Sequence, residues 1–260
     1  MINPQFTLFS VYYKPFYIPE VSYVHPIHAG RAIHDGFGIE GDDTGENISH
    51  LNDTWVELTA LYYIWKNYSK EQVPYLGLVH YRRYFTLPLS LNPFKRMYYL
   101  KASKETYERV LSPKLEAYIA KQLGDGKIIL PKRYRMIKLK KWSAKQQYAR
   151  DHHAEDWNLA EKAVKSLYPE YAESFDRFAG GLSLCVFNIM IASWGFWDGY
   201  CTWLFRILDE VNKEYVPKED PNQRRVFGFL SERLLNVYVL HQQQNHGQKI
   251  KYMSVAHFSE

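Results

Sequence analysis

The chain holds two cysteines, Cys185 and Cys201, in 260 residues. Two cysteines build no disulfide framework, and their spacing matches no metal motif, so a reducing compartment is the expected setting. No apolar run approaches the length that crosses a bilayer. The amino terminus, Met1-Ile2-Asn3-Pro4-Gln5-Phe6, lacks the basic start and apolar stretch of a secretory signal. The expectation is a cytoplasmic protein. Also missing are a Walker loop, a dinucleotide-binding glycine fingerprint and a nucleophile elbow. Asp-x-Asp, a common way to hold a divalent metal against a diphosphate, does not occur; Glu40-Gly41-Asp42 comes nearest. Without repeats, low-complexity tracts or a linker, residues 1–260 are expected to form one domain.

Hydrophobic residues make up 46% of the chain, which suits a packed globular protein and excludes disorder. Aromatics reach 17%, with Tyr 22 and Trp 7. Their flat apolar faces with polar edges fill cores and also line sugar clefts. The net charge of +5 and a pI of about 8.9 favour anionic partners without choosing among them.

Phe6 to Tyr12 reads as a first strand ended by Lys14-Pro15, and Tyr23 to Gly30 as a short second strand. Residues 33–45 form a Gly- and Asp-rich loop. Thr54 and Glu57 have capping-box spacing before Leu58, Leu61, Tyr62 and Trp65, which fall on one helical face. Tyr75 to His80 is a buried strand. Helix is expected from about Ser103 to Leu123, then strand from Lys127 to Pro131. Residues 155–178 read as helix broken at Pro169, Leu182 to Ile191 as a strand-like run, and Phe196 to Val211 and Arg225 to Leu240 as helices. This alternation predicts an α/β fold with a mostly parallel or mixed central sheet flanked by helices.

The most informative stretch is Tyr75-Leu76-Gly77-Leu78-Val79-His80-Tyr81-Arg82-Arg83-Tyr84-Phe85. An apolar strand ends in two guanidiniums, and open α/β sheets bind ligands at the carboxyl ends of their strands. Arg offers a planar fork of donors suited to phosphate or carboxylate. In extended chain, His80 and Arg82 would face one way and Arg83 the other. Asp42 and Asp43 sit between glycines, either as ligands for hydroxyls or as an Asx-rich turn. Asp151-His152-His153 is no metal site by spacing; it is either a ligand contact or a solvated helix start. Val226, Leu230, Leu234 and Val237 form a core stripe on the last helix, with Arg225, Glu232 and Asn236 on a polar one. That polar stripe suits a cleft wall or a structural ion pair.

In order along the chain, these segments resemble a family of bacterial glycosyltransferases of capsule, exopolysaccharide and O-antigen synthesis, long catalogued as a domain of unknown function. The resemblance is carried by Pro26-Ile27-His28-Ala29-Gly30-Arg31, by Gly41 to Ser49, and by Glu57 to Asn67. It continues through Gly77 to Phe85, Tyr148 with His152 and His153, and Tyr200 to Phe205, and ends in Arg225-Val226-Phe227-Gly228-Phe229-Leu230-Ser231-Glu232-Arg233. Two places depart from the family: Tyr13-Lys14 stands where His-Lys is usual, and Asn188-Ile189-Met190 replaces the order Asn-Met-Phe-Ile.

The resemblance implies a GT-A-like single domain that transfers a hexosyl unit, galactofuranosyl or galactosyl, from a UDP-sugar to a lipid-linked oligosaccharide with inversion. It implies that Tyr13, Lys14, His28 and Arg31 hold the nucleotide, and that Arg82 and Arg83 stabilise the leaving diphosphate. Asp42, Asp43 or Glu232 would be the base, and the residues leave that choice open. His80, Asn47, His152, His153, Asn188, Arg225 and Arg233 would contact substrate. No cofactor is assigned; manganese or magnesium is an open option without Asp-x-Asp. Residues 132–145, with lysines and arginines among Tyr134, Met136 and Trp142, suit the inner face of the plasma membrane or a loop over the site. A non-catalytic polysaccharide- or RNA-binding module is the rival reading, although no RNA motif occurs and acids at 42–43 would repel a phosphate backbone, so no nucleic-acid partner is expected. A hydrolase using the same carboxylates is the third.

Overall fold

The structure, a computed structural model, describes residues 5–136 and 141–260. Its centre is a nine-stranded mixed sheet. β1 (Phe6–Tyr12) pairs in parallel with β2 (Val24–His28) on one side and β4 (Tyr75–His80) on the other, and β2 continues to the short β3 (Glu40–Gly41). β10 (Met190–Ser193) runs antiparallel between β4 and β7 (Lys127–Pro131). β11 (Lys249–Ser259) then pairs with β7 through its first half. Its second half lies between β5 (Arg83–Thr86) and β6 (Met97–Lys101). A two-stranded ribbon joins β8 (Tyr134–Arg135) to β9 (Ser183–Leu184).

Alternation along the strands builds two cores. Phe9, Val11, Leu76, Leu78, Ile128, Leu130, Met190 and Ala192 point to one face. There they meet α2 (Glu57–Asn67), α5 (Ala144–Asp151), α6 (Ala154–Leu167), α7 (Ala172–Gly180), α8 (Trp194–Glu214) and α9 (Val226–His246). Leu8, Val79, Ile129 and Ile191 point to the other face, covered by α3 (Lys104–Val110) and α4 (Pro113–Gly124). Burying each such side chain contributes roughly 1.5–3 kcal/mol. On α9 the predicted stripe of Val226, Leu230, Leu234 and Val237 is fully inside. The α/β class and the helix-flanked mixed sheet are as the sequence predicts.

Four local expectations change. The predicted capping box is absent: Thr54 lies inside a one-turn helix, α1 (Asn52–Trp55), and its hydroxyl donates to the Leu51 carbonyl. Val56, at φ 45°, separates α1 from α2. The helix expected from Ser103 to Leu123 is two helices, because Pro113 at the first turn of α4 forces a break before it. The strand-like run from Leu182 to Ile191 is interrupted where Phe187 and Asn188 adopt φ of 82° and 52°. Finally, the chain does not stay extended past His80: it turns at Tyr81-Arg82, so that Arg83 pairs back with His80.

Candidate active site

A cleft of about 540 Å³ opens at the carboxyl ends of β1, β2 and β4. Its walls come from the β4–β5 turn, the α1–α2 break, the Phe187-Asn188 kink and the first turns of α9. The turn after β4 brings both arginines into the cleft, with Arg82 and Arg83 lining it beside His80 and Tyr81. Arg82 lies over the rings of Phe16 and Tyr81, at 4.9 and 5.2 Å, and reaches Glu260 Oε1 at 3.0 Å. Arg83 lies 4.5 Å over Phe187 and, among the described residues, makes no salt bridge. Burial pulls its pKa down, opposed by the charges of Glu57, Tyr81 and Glu232. A half-desolvated guanidinium with an unpartnered Nε is poised for an anion. Arg225 adds a third cation to the rim.

Opposite the arginines stands Glu57, the first residue of α2. Its Oε1 accepts from Asn188 Nδ2 at 2.7 Å, and its Oε2 makes no hydrogen bond among the described residues. Local sequence explains its fixed place. Trp55 stacks on Phe227 at 4.6 Å and Trp65 on Phe205 at 5.7 Å, which clamps α1 and α2 against α9 and α8. Asn52 Nδ2 donates to the Val56 carbonyl at 2.7 Å and to Thr59 Oγ1 at 2.9 Å, holding the break. Gly228 lets α9 come close, since a Cβ there would sit 2.5 Å from Val56 Cγ2. Asn188 ties the three elements together: the two hydrogens of its Nδ2 are shared among Glu57 Oε1, the Gly228 carbonyl at 3.0 Å and Ser231 Oγ at 2.7 Å. Its own Oδ1 is buried without a partner.

Glu232 also lines the cleft, but both its oxygens are engaged. Oε2 accepts from the Phe187 backbone N–H at 2.5 Å and Oε1 from Arg233 at 2.8 Å. His80 Nε2 donates to the Phe187 carbonyl at 2.7 Å, and burial holds its pKa below the usual histidine value. His257 lines the cleft from β11, with its pKa lowered by burial and by Arg83 and Arg82. Tyr13 is on the rim, its hydroxyl 3.0 Å from that of Tyr81.

Several predicted residues do not line this cleft. Asp42 is fully buried and accepts from the Gly30 and Arg31 backbone N–H groups, at 3.0 and 3.1 Å, and from Ser49 Oγ at 2.5 Å. It clamps a loop, and its oxygens are spoken for. Asp43 and Asn47 belong to the outer loop, where Asn47 bonds the carbonyls of Thr44 and Gly45. His28 is buried against Phe37, at 4.4 Å, and burial lowers its pKa. Arg31 bonds the His34 carbonyl, and Lys14 lies 3.6 Å from Glu260. His152 stacks on Phe229 at 3.9 Å, and burial pushes its pKa down to about 4, while His153 is exposed at the start of α6. Of the polar stripe on α9, Arg225 and Glu232 face the cleft; Asn236 instead bonds both backbone groups of Cys185.

Arg233 faces a second hollow of about 200 Å³ with Gln147, Trp142 and Glu232, and bonds Gln147 at 3.0 Å. In the predicted basic segment, residues 137–140 lie outside the described residues. No group of three or more His, Cys, Asp or Glu is arranged to hold a metal among the described residues. No described helix is long and apolar enough to cross a membrane. Sequence reasoning missed Glu57, Asp53, Asn52 and His257 as cleft residues. The signal for Glu57 was its position, an acid opening the tryptophan helix, which also fits a cap.

A family known as "Domain of unknown function (DUF4422)" matches residues 7–244. No curated protein matches the chain. The chain is similar to the solved apo structure of WbbM, a bifunctional glycosyltransferase, with a TM-score of 0.90 and 28% identity. The similarity covers 98% of this chain and 46% of WbbM, so the chain spans about half the length of that protein.

Proposed function

The chain belongs to the DUF4422 family, and we propose that it is a nucleotide-sugar-dependent glycosyltransferase, with residues 1–260 acting as one transferase domain. The observation that carries this reading is the pairing, in one cleft, of Arg82 and Arg83 with a carboxylate that has an oxygen to spare, Glu57. The similarity to WbbM over nearly the whole chain supports it. The sugar's bond to a diphosphate breaks with negative charge building on the leaving oxygen. Preorganised cations at that point stabilise the transition state. Arg83, already stripped of much of its water, needs little reorganisation to do so, and Arg82 and Arg225 extend the same field.

In the finer proposal the donor is a UDP-sugar, and the transferred unit is a hexosyl group such as galactofuranosyl or galactosyl. The acceptor is a lipid-linked oligosaccharide. Inversion requires one base within hydrogen-bond reach of the acceptor hydroxyl. Glu57 is the better candidate than Glu232, whose two oxygens are already taken, and than Asp42, which is sealed from the cleft. Glu57 Oε2 would take the hydroxyl proton as the acceptor oxygen attacks the anomeric carbon and the nucleoside diphosphate departs. Asn188, bonded to the other oxygen, orients it. His80 Nδ1, opposite the Nε2 that donates to Phe187, is a further acceptor for a sugar hydroxyl.

A thermal-shift screen against UDP, GDP, CMP and dTDP and their sugars, with and without manganese, tests the reading. Ligand binding to the folded state raises the melting temperature. A rise with uridine nucleotides that is lost in Arg83→Ala is expected, followed by turnover only when an acceptor is supplied. Binding of a glycan without turnover would move the assignment to a binding module, and turnover by water alone to a hydrolase.

A further inference from the structure

The loop between β5 and β6 carries an apolar tip that no part of the fold covers. Leu91 is 103% exposed and Phe94 83%, and Tyr99 on the adjoining strand is 76% exposed. Large apolar side chains grouped on a surface mark a binding face far more often than single ones do. This exposure is not that of a loose chain. Asn92 Oδ1 accepts from the Phe94 N–H at 2.9 Å, and Ser254 Oγ and Lys132 Nζ both donate to the Lys95 carbonyl, at 2.8 and 3.2 Å. Lys132 also reaches the Pro93 carbonyl at 2.7 Å. The loop is pinned, and it is pinned with its apolar groups outward.

Its charge has one sign. No Asp or Glu occurs from residue 72 to 104, nor from 126 to 150, the two segments that meet at Lys132. Lys95 and Arg96 follow the apolar tip directly. Beside them a shallow hollow of about 270 Å³ is lined by Leu89, Lys95, Tyr98, Tyr99, Leu100 and Arg109. Two cations and two tyrosines around a depression of that size suit a phosphate headgroup, with Leu91 and Phe94 placed to enter the acyl boundary beside it.

The loop leaves β5 at Thr86, the end away from the Tyr81-Arg82 turn of the cleft, and re-enters the sheet at Met97 of β6. We infer that residues 87–96, with Lys132 and Arg109, form a docking surface for a membrane rich in anionic lipid. Exposure and charge carry this surface whichever reaction the cleft performs. Lipid contact is thus assigned first to residues 87–96, joined by Lys132 from the basic run of residues 132–145.

Co-sedimentation of the full chain with vesicles tests this. The chain should pellet with phosphatidylglycerol–phosphatidylcholine vesicles at low salt, and should stay in solution with phosphatidylcholine alone. Leu91→Ser with Phe94→Ser should weaken vesicle binding at least about tenfold, and Lys95→Gln with Arg96→Gln should make that binding less salt-dependent. Both double variants change fully exposed positions, so their melting temperatures and nucleotide shifts should match the parent. A parent chain that ignores anionic vesicles overturns the inference, as does a Leu91/Phe94 variant that binds them equally well. It is likewise overturned if those two residues instead hold a dimer in solution, seen as a mass halved in the variant. Vesicle binding without any nucleotide shift would leave the docking surface standing and count against the transferase reading alone.

Discussion

Asp42 and Glu57 are two carboxylates near the carboxyl edge of the sheet, fifteen positions apart, and they have opposite hydrogen-bond accounts. Asp42 receives three donors, two from the backbone at Gly30 and Arg31 and one from Ser49, and it has no exposure. Glu57 receives one, from Asn188, and turns its other oxygen to the cleft. Around Asp42 the chain uses a glycine, Gly30, for the positive φ it needs. Around Glu57 it forces Val56, Phe187 and Asn188 into positive φ, where side chains are strained. The first arrangement spends a charge on holding a loop. The second places three residues with side chains at positive φ and leaves one carboxylate oxygen without a protein donor among the described residues. Glycine-flanked acids attract attention in a sequence, but the count of donors separates a carboxylate that holds a loop from one with an oxygen free for a ligand.

The largest effect that tests this contrast is on turnover. Glu57→Gln keeps the shape and the bond from Asn188, to its carbonyl oxygen, but removes the base. Turnover should fall by about 10²–10⁴, with the melting temperature within a few degrees of the parent and nucleotide binding retained. Steady-state kinetics beside a melting curve measures both. Full activity in Glu57→Gln would remove Glu57 from the base role and return the question to Glu232.

Asp42→Ala should do the reverse. It leaves two backbone N–H groups and a hydroxyl buried without an acceptor, at a cost of about 3–5 kcal/mol. For a chain of this length, that is a melting temperature lower by on the order of 10 °C. Turnover per folded molecule at low temperature should change far less than in Glu57→Gln. A stable Asp42→Ala protein that is inactive would show that the loop's clamp is part of the site after all.

Much of this architecture is legible in the sequence, for physical reasons that differ by element. β1, β4 and β7 are covered on both faces, so they read as apolar runs with clear ends. The place of the arginines in a cleft is legible because strand ends in such sheets open onto crevices. β11 is not legible, since Lys249–Ser259 mixes lysines, serines and a histidine with its apolar residues and is buried only toward its end. With it went His257. β6 escapes notice because Tyr99 and Lys101 face solvent. Glu57 was hidden by a local coincidence: three residues after a threonine, it matches a cap, and only the break at Val56 shows that one helix is two. The burial of Asp42 is not legible either, because composition shows an acid between glycines but not the N–H groups that surround it.

The smallest expected effect concerns Val56, and it separates strain from packing. At an ordinary buried position, such as Val73, replacing valine by glycine removes apolar contacts and adds chain entropy to the unfolded state, at a cost of about 2–4 kcal/mol. At Val56 the same change also relieves a positive φ in a β-branched residue, worth about 1–3 kcal/mol. The terms nearly cancel, so Val56→Gly should melt within about 3 °C of the parent. Its kcat should nonetheless fall severalfold, because glycine lets the α1–α2 break sample other conformations and Glu57 loses part of its fixed aim. Such a split, with stability held and kcat lowered, is what a residue that orients the base predicts. A fall of 8 °C or more would instead make Val56 a packing residue, and the contrast between the two carboxylates would then rest on hydrogen bonds alone.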